Sequence, residues 1–371
     1  MRVAIVTESF LPHVNGVTNT VRHTADRLLQ SGHEVLIIAP GPGPATHGAA
    51  TVMRVRSLPL PGYRSFPVGL PDASVERALG QFAPHVVHLA SPIMLGAVGL
   101  RASRRLGLPT VAVYQTDVGA FARQYGVRGL PVIEKWVARI HRRASRTLVP
   151  STTSLRQLDA WGVPELHLWR RGVSLDLFGP EHRSEELHDR FASGGVAIGY
   201  VGRLAAEKRV RRLAELADIP GTRLVVIGDG PLRPWLEQRL PTATFTGMLG
   251  GAELATAFAS LDVFVHPGEA ETFCQTVQEA QASGVPVVAP AAGGPLDLVD
   301  SGRTGLLYDP ADRASLRAAV QHLVDDPDLR RTMAWRSRTQ VLGRSWSHVV
   351  DELVDVHYAA VVTPAPRRLA A

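Results

Sequence analysis

Cysteine occurs once in this 371-residue chain, at Cys274, and lysine only twice, at Lys135 and Lys208, among 40 basic residues that are otherwise arginine. A single cysteine excludes an internal disulfide framework and fits a reducing cytosol. Aromatic residues are scarce, at 6%, and do not interleave with the arginines, which argues against a nucleic-acid binder. Long apolar runs are missing too. Stretches such as Val35–Ala39 and Val285–Ala289 are strand-sized, well short of the ~20 residues of a membrane span. The chain opens directly on RVAIV with Glu8 close behind, so no signal peptide is expected. A net charge of +6 and a pI of 9.9 admit nucleic acid, an anionic membrane or a phosphorylated substrate as partner, and charge alone does not choose among them.

The length exceeds what one hydrophobic core usually serves, so two domains are expected. Short Val/Ile-rich runs alternate with amphipathic stretches in two series. Strands are expected at Arg2–Val6, Glu34–Ala39, His85–Leu89, Thr110–Tyr114 and Arg146–Val149, then at Val196–Val201, Arg223–Ile227, Ala243–Thr246, Asp262–His266 and Val285–Ala289. Helices are expected between them, among them Arg211–Asp218, Leu232–Leu240 and Ala252–Ser260. Gly41–Ala50 and Pro59–Pro71 read as irregular loops. Repeated βαβ units imply parallel sheets covered on both faces, with ligands at the C-terminal ends of strands. A closing amphipathic stretch, Ser347–Ala360, is placed to brace the first half, and the PAPRRLAA tail reads as frayed.

The richest segment is DVFVHPGEAETFCQTVQEAQASGVPVVAPAAGG, Asp262 to Gly294. It reads as strand, loop, helix, strand, with Glu271 at the mouth of the helix and Glu279 two turns inside it. Eight residues at ~1.5 Å each separate the two carboxylates by roughly 12 Å along the axis, a span suited to opposite ends of a nucleotide sugar. Backbone N–H groups at Phe273, Cys274 and Gln275 would face a diphosphate between them. GRLAAEK, Gly202–Lys208, offers Arg203 and Lys208 at a strand end, two cations suited to a leaving pyrophosphate. Gly228 and Asp229 in IGDGP form a turn, and Met248 in FTGML falls where a nucleobase would lie. Gly293 and Gly294 make a tight loop beneath the sugar.

In the first half, Gly16 in TESFLPHVNGV lets a backbone approach a ligand ahead of a helix. This loop is not GxGxxG and lacks the following ribose-binding acid, which disfavours a nicotinamide dehydrogenase. Glu8, His13, His88, Gln115, Thr116 and Asp117 are the polar candidates on the acceptor side, with His88 equally readable as structural. Gly129–Arg146 carries Val132, Ile133, Trp136 and Ile140 on one side with Lys135, Arg139, Arg142 and Arg143 around it. That pattern suits either an anionic membrane surface or a core-facing helix.

Taken together, NGV, GRLAAEK, GDGP and the Glu-x7-Glu block make the chain resemble the retaining glycosyltransferases of family 4, from VTESFLPHVNGV to RSWSHVVDEL. VVHLASP, VAVYQTDV, RRGV and VFVHPGEAETFCQTVQEA narrow the likeness to actinobacterial members that use GDP-mannose to build glycolipids, on a glucuronosyl diacylglycerol acceptor. The resemblance implies an α/β GT-B fold, two facing Rossmann-like domains with parallel sheets and an interdomain cleft. An acceptor-binding domain would span 1–168 and a donor-binding domain 169–345, with 346–371 packing back on the first. It implies Arg203 and Lys208 on the donor diphosphate, Glu279 on the ribose, Glu271 on the mannose and backbone contacts at Gly16 and Phe273–Gln275. It further implies no metal or other cofactor, and a peripheral enzyme at the cytoplasmic face of the plasma membrane whose partners are a nucleotide sugar, a lipid-linked acceptor and an anionic membrane surface. Many relatives have histidine where this chain has Gln115, and an amide can hydrogen-bond the sugar but cannot act as a base. The competing readings are a UDP-sugar-dependent glycolipid glycosyltransferase, glucosyl or sulfoquinovosyl, and a sugar-nucleotide epimerase or binding protein on the same fold.

Overall fold

The computed structural model describes residues 1–60, 63–70, 72–117, 119 and 130–362. The tail PAPRRLAA, Gly129, and Pro61, Gly62 and Pro71 of the second loop lie outside the described residues. The chain divides into two compact units, Met1–Arg171 with Trp346–Ala371, and Gly172–Ser345.

The first unit holds β1 (Arg2–Thr7), β2 (Glu34–Pro40), β3 (Thr46–His47), β4 (Ala50–Val55), a separate hairpin of β5 (Ser57–Leu60) and β6 (Tyr63–Gly69), then β7 (Val86–Ala90), β8 (Thr110–Val113), β9 (Arg146–Val149) and β10 (Leu166–Leu168). The main sheet runs β10-β9-β8-β7-β1-β2-β4-β3, parallel throughout except for the short β3–β4 pairing. β1 and β7 are apolar almost without interruption because helices cover both faces of the sheet. Strand order reverses between β1 and β7, so their C-terminal ends flank a switch point.

The helix Gly16–Gln30 starts at Asn15, whose Oδ1 accepts from Val17 N and Thr18 N at 3.0 Å. It lays Val21, Ala25 and Leu28 against Val3 and Ile5 of β1. The segment from Trp346 to Val362 packs on this same core through Val349, Val350, Leu353 and Tyr358. Polar contacts hold it there as well: Trp169 Nε1 donates to the Val349 carbonyl at 3.0 Å, His88 Nδ1 meets the Tyr358 hydroxyl at 2.7 Å, and Arg27 pairs with Asp351 at 2.6 Å.

The second unit has six parallel strands, β11 (Val196–Val201), β12 (Thr222–Ile227), β13 (Thr244–Gly247), β14 (Val263–Val265), β15 (Val287–Pro290) and β16 (Gly305–Tyr308). Their order, β13-β12-β11-β14-β15-β16, is the dinucleotide-fold order, with its switch point between β11 and β14. Two expectations change here. Val210–Leu216 is a 3-10 helix where an α-helix was expected over Arg211–Asp218, entered through Arg209 at φ +53. The expected loops at Gly41–Ala50 and Pro59–Pro71 contain β3, the first residue of β4, and the β5–β6 hairpin.

Candidate active site

Unit two carries its polar residues at the ends of β11 and β14, on either side of the switch point. The loops after β11, β12 and β13 interlock through their backbones. Gly202 N donates to the Ile227 carbonyl at 2.9 Å, Leu204 N to the Asp229 carbonyl at 2.9 Å, and Gly228 N to the Gly247 carbonyl at 2.7 Å. Gly228, at φ +131, is required by that contact, since a Cβ there would lie 2.0 Å from the Gly202 carbonyl oxygen. Asp229 orients the turn, accepting from Gly230 N at 2.7 Å and from Arg233 Nη1 at 3.1 Å. Met248, just beyond β13, is 80% exposed.

From this frame a short 3-10 turn, Ala206–Lys208, sends Lys208 toward the loop after β14. Its Nζ donates to Glu271 Oε1 at 2.6 Å. Arg203 takes a different partner, Glu207 on its own loop, so the two expected phosphate cations do not share one contact. His266 follows β14 directly, buried, with Nε2 3.3 Å from Glu271 Oε1. Burial alone would push the His266 imidazole down, but the Cys274 sulfur and the Glu271 carboxylate outweigh it and hold it up at about 9. Burial likewise opposes ionisation of Glu271, and Lys208 with His266 overcomes this and holds the carboxyl well below the usual range. On Lys208, Glu271 outweighs the desolvation that would lower it.

The helix after this loop is Gln275–Ala282, so it starts later than the sequence reading placed it. Cys274 is the cause. It caps the helix in left-handed backbone, φ +81 and ψ 75, a conformation that costs a non-glycine residue about 1–2 kcal/mol. Glu271 therefore precedes the helix, Phe273 and Cys274 lie outside it, and Glu279 sits just over one turn inside rather than two. Phe273 is buried in the core, and Gln275 Nε2 donates to the Gly172 carbonyl at 3.0 Å. Glu279 is half-buried, and no hydrogen bond or ion pair among the described residues reaches its carboxylate. Burial raises it to about 8. Gly294 N donates to the Glu271 carbonyl at 2.7 Å, and a Cβ on Gly294 would fall 2.2 Å from the Phe273 carbonyl oxygen. The glycine pair thus packs directly against the backbone that presents Glu271.

Unit one assembles a second polar group. Gln115 is buried after β8, and its Oε1 accepts from Arg171 Nη2 at 3.3 Å. A Cβ on Gly16 would stand 3.1 Å from Arg171 Nη1, so Gly16, Gln115 and Arg171 meet in one place. Arg171 was not singled out from the sequence; the signal available was an arginine pair ahead of Gly172, and its burial is visible only in three dimensions. Thr116 Oγ1 accepts from Ser91 Oγ at 3.0 Å and Asp117 Oδ2 from Gln157 Nε2 at 3.1 Å. His13 is half-buried on the loop before Asn15.

Glu8 and His88 leave the candidate set. The Glu8 carboxylate accepts from the backbone N–H groups of Ile93, Met94, Leu95 and Gly96 at 2.7, 2.8, 3.2 and 2.9 Å, capping the helix Leu95–Arg105. Burial raises its pKa even so. His88 is committed to Tyr358, and burial pushes it down to about 4.

The chain is similar to known proteins along most of its length. Residues 14–177 match the model of Glycosyltransferase Family 4, and residues 195–326 that of Glycosyl transferases group 1. A GDP-mannose-dependent alpha-mannosyltransferase of Mycolicibacterium smegmatis is 51% identical, covering 98% of each chain. The chain belongs to glycosyltransferase family 4. The sulfoquinovosyl transferase SQD2 of Arabidopsis thaliana is 32% identical over 97% of this glycosyltransferase and 74% of its own length. Anabaena Alr3699/HepE, solved in complex with UDP, superposes with a TM-score of 0.79 over 97% of this chain and all of its own, at 18% identity. The fold is GT-B, with two parallel-sheet α/β units.

In this glycosyltransferase the helix Leu130–His141 combines the two readings offered by its sequence. Val137, Ala138, Ile140 and His141 are buried, whereas Val132 is 71% and Trp136 37% exposed, with Lys135 and Arg139 exposed beside them. The expected apolar face is therefore split: Ile140 turns to the core and Val132 to solvent. Trp136 Nε1 donates to the Ile93 carbonyl at 2.9 Å. No helix among the described residues is long and apolar enough to cross a membrane.

Proposed function

We propose that this glycosyltransferase moves an α-mannosyl group from GDP-mannose to glucuronosyl diacylglycerol, with retention at the anomeric carbon and without a metal, in cell-envelope glycolipid synthesis at the cytoplasmic face of the plasma membrane. The observation that carries it is the Lys208–Glu271 pair at the β11/β14 switch point, where a nucleotide fold receives its ligand. A donor diphosphate takes Lys208 and Arg203, freeing Glu271 for the mannose hydroxyls. Glu279, whose carboxylate has no other partner among the described residues, takes the ribose. Gly228 and Met248 lie at the strand ends where the base is held, and the backbone of Phe273–Gln275 approaches phosphate or sugar. In the transfer, the bond from C1 to the β-phosphate oxygen breaks and the acceptor oxygen bonds C1 on the same face. The acceptor proton passes to the departing phosphate oxygen. Lys208 and Arg203 stabilise the charge growing on that oxygen. Gln115 and Asp117, with Gly16, serve the acceptor side.

Two further findings support the reading, and one keeps its alternative open. The 51% identical relative is named for GDP-mannose and α-mannosyl transfer. The 32% identical relative is named for sulfoquinovosyl transfer, which keeps another sugar donor as the competing choice. Val132 and Trp136, exposed beside Lys135 and Arg139, suit an anionic membrane surface bearing a lipid acceptor. The test offers GDP-mannose, UDP-glucose and UDP-sulfoquinovose in turn with vesicles containing glucuronosyl diacylglycerol. Mannosylated lipid from GDP-mannose alone is expected, and turnover of a UDP-sugar without any from GDP-mannose overturns the proposal. GDP release that requires the acceptor lipid separates a transferase from an epimerase or a binding protein.

A further inference from the structure

The geometry points to a site for a borderline-soft divalent cation of the zinc class, formed by His266, Glu271 and Cys274, whose occupation takes Glu271 away from Lys208 and blocks donor binding. One ligand atom from each residue lies within 4.8 Å of the other two. The donor set is imidazole nitrogen, carboxylate oxygen and cysteine sulfur, which zinc binds at ~2.0–2.3 Å in tetrahedral geometry. Two nitrogen or oxygen ligands at those lengths stand about 3.3 Å apart on a tetrahedral ion, and His266 Nε2 is 3.3 Å from Glu271 Oε1.

A second observation bears on the same place. His266 is 2% exposed, yet neither ring nitrogen has a hydrogen-bond partner of acceptable geometry among the described residues. A buried imidazole without a hydrogen bond is costly, and a cation would satisfy it. Gly268 leaves the approach to the ring open, since a Cβ there would lie 2.8 Å from Nε2. The left-handed backbone of Cys274, φ +81, sets this chain's one cysteine beside that imidazole. Three protein ligands leave a fourth tetrahedral position for water.

Selectivity follows from the ligand types. Thiolate and imidazole favour zinc and cobalt over magnesium, which prefers an all-oxygen octahedron. Binding needs a thiolate and a neutral imidazole, so it displaces the protons carried by Cys274 and His266 and weakens at low pH. Lys208 is the built-in competitor, because its ammonium and the cation seek the same Glu271 oxygen. The site is independent of which nucleotide sugar the enzyme uses, so its test stands or falls separately from the donor assignment.

The experiment titrates the full-length protein with Co2+ and Zn2+, with Mg2+ as control. One equivalent of Co2+ is expected to give a thiolate-to-cobalt charge-transfer band, displaced by Zn2+ and unaffected by Mg2+. His266→Gln should weaken binding at least tenfold, and Cys274→Ser should remove the band. Lys208→Met removes the competitor and should tighten binding severalfold, a direction that misfolding does not mimic. Zinc should inhibit transfer competitively with the sugar nucleotide, reversed by a chelator. Absence of the band in the wild type, or unchanged affinity in Lys208→Met, overturns the site.

Discussion

Lys208 Nζ and Glu271 Oε1 stand 2.6 Å apart across 63 residues of sequence, joining the loop after β11 to the loop after β14. The contact balances two partly desolvated charges, with His266 at 3.3 Å as the second partner of Glu271. In the proposed reaction a donor diphosphate would substitute for Glu271 on Lys208, which the existing contact already holds beside it. Lys208→Ala and Glu271→Ala should each lower turnover by about 10²- to 10³-fold, the range seen when one preorganised electrostatic contact is removed. Circular dichroism should show the fold retained. Wild-type-like turnover in either variant removes that residue from the site.

Glu279 gives a stability test that needs no substrate. Folded, it titrates near 8; unfolded, near its ordinary value of 4.5. Between these values the folded state keeps a proton that the unfolded chain has released, so stability falls as pH rises through the window. Glu279→Gln removes this dependence. Its melting temperature should exceed the wild type's by a few degrees at pH 8.5 and match it at pH 4.5. Partial exposure of the side chain limits the gap. Parallel melting curves across the range would refute the assignment of burial without a partner.

Glu8 is expected to matter for stability rather than turnover chemistry. Its carboxylate accepts four backbone N–H groups at the start of Leu95–Arg105, and Glu8→Ala leaves them without this acceptor, those of Leu95 and Gly96 in buried surroundings. The loss should be about 1–3 kcal/mol, measured by urea denaturation of the first unit's transition. An unchanged midpoint would mean the cap contributes nothing.

Strand positions were legible wherever a strand is buried on both faces. β1, β9 and β11 fall within one residue of where their apolar runs place them, because an uninterrupted run has one natural reading in a parallel sheet. β4 was not legible. It lies near the sheet edge, half-buried with irregular alternation, and follows a glycine-rich stretch that masks its start. The site shows the same division. Glu271 and Glu279 stand out by local spacing, whereas the late start of their helix depends on one left-handed residue that no propensity marks. Arg171 beside Gln115 and His88 beside Tyr358 are contacts across 56 and 270 residues, and such pairings carry no local pattern.

The helix Leu130–His141 makes the membrane reading testable apart from the chemistry. Val132 is 71% exposed, so burying it gains nothing within the described fold, and its apolar surface is available to a lipid interface. Lys135 and Arg139 beside it add attraction to anionic headgroups, about 1 kcal/mol for each charge near the surface. Val132→Asp removes roughly 1.5 kcal/mol of apolar burial and adds a repelled charge, which together amount to at least a tenfold loss in vesicle partitioning. Binding to vesicles containing phosphatidylglycerol, followed by co-sedimentation, should fall accordingly and weaken further with salt. Because the side chain is exposed, the melting temperature should not change. Transfer to a short-chain, water-soluble acceptor should also persist while transfer to vesicle-borne acceptor drops. Equal loss on both acceptors would assign Val132 to acceptor binding or to the fold, and unchanged vesicle binding would rule out this face as the membrane contact.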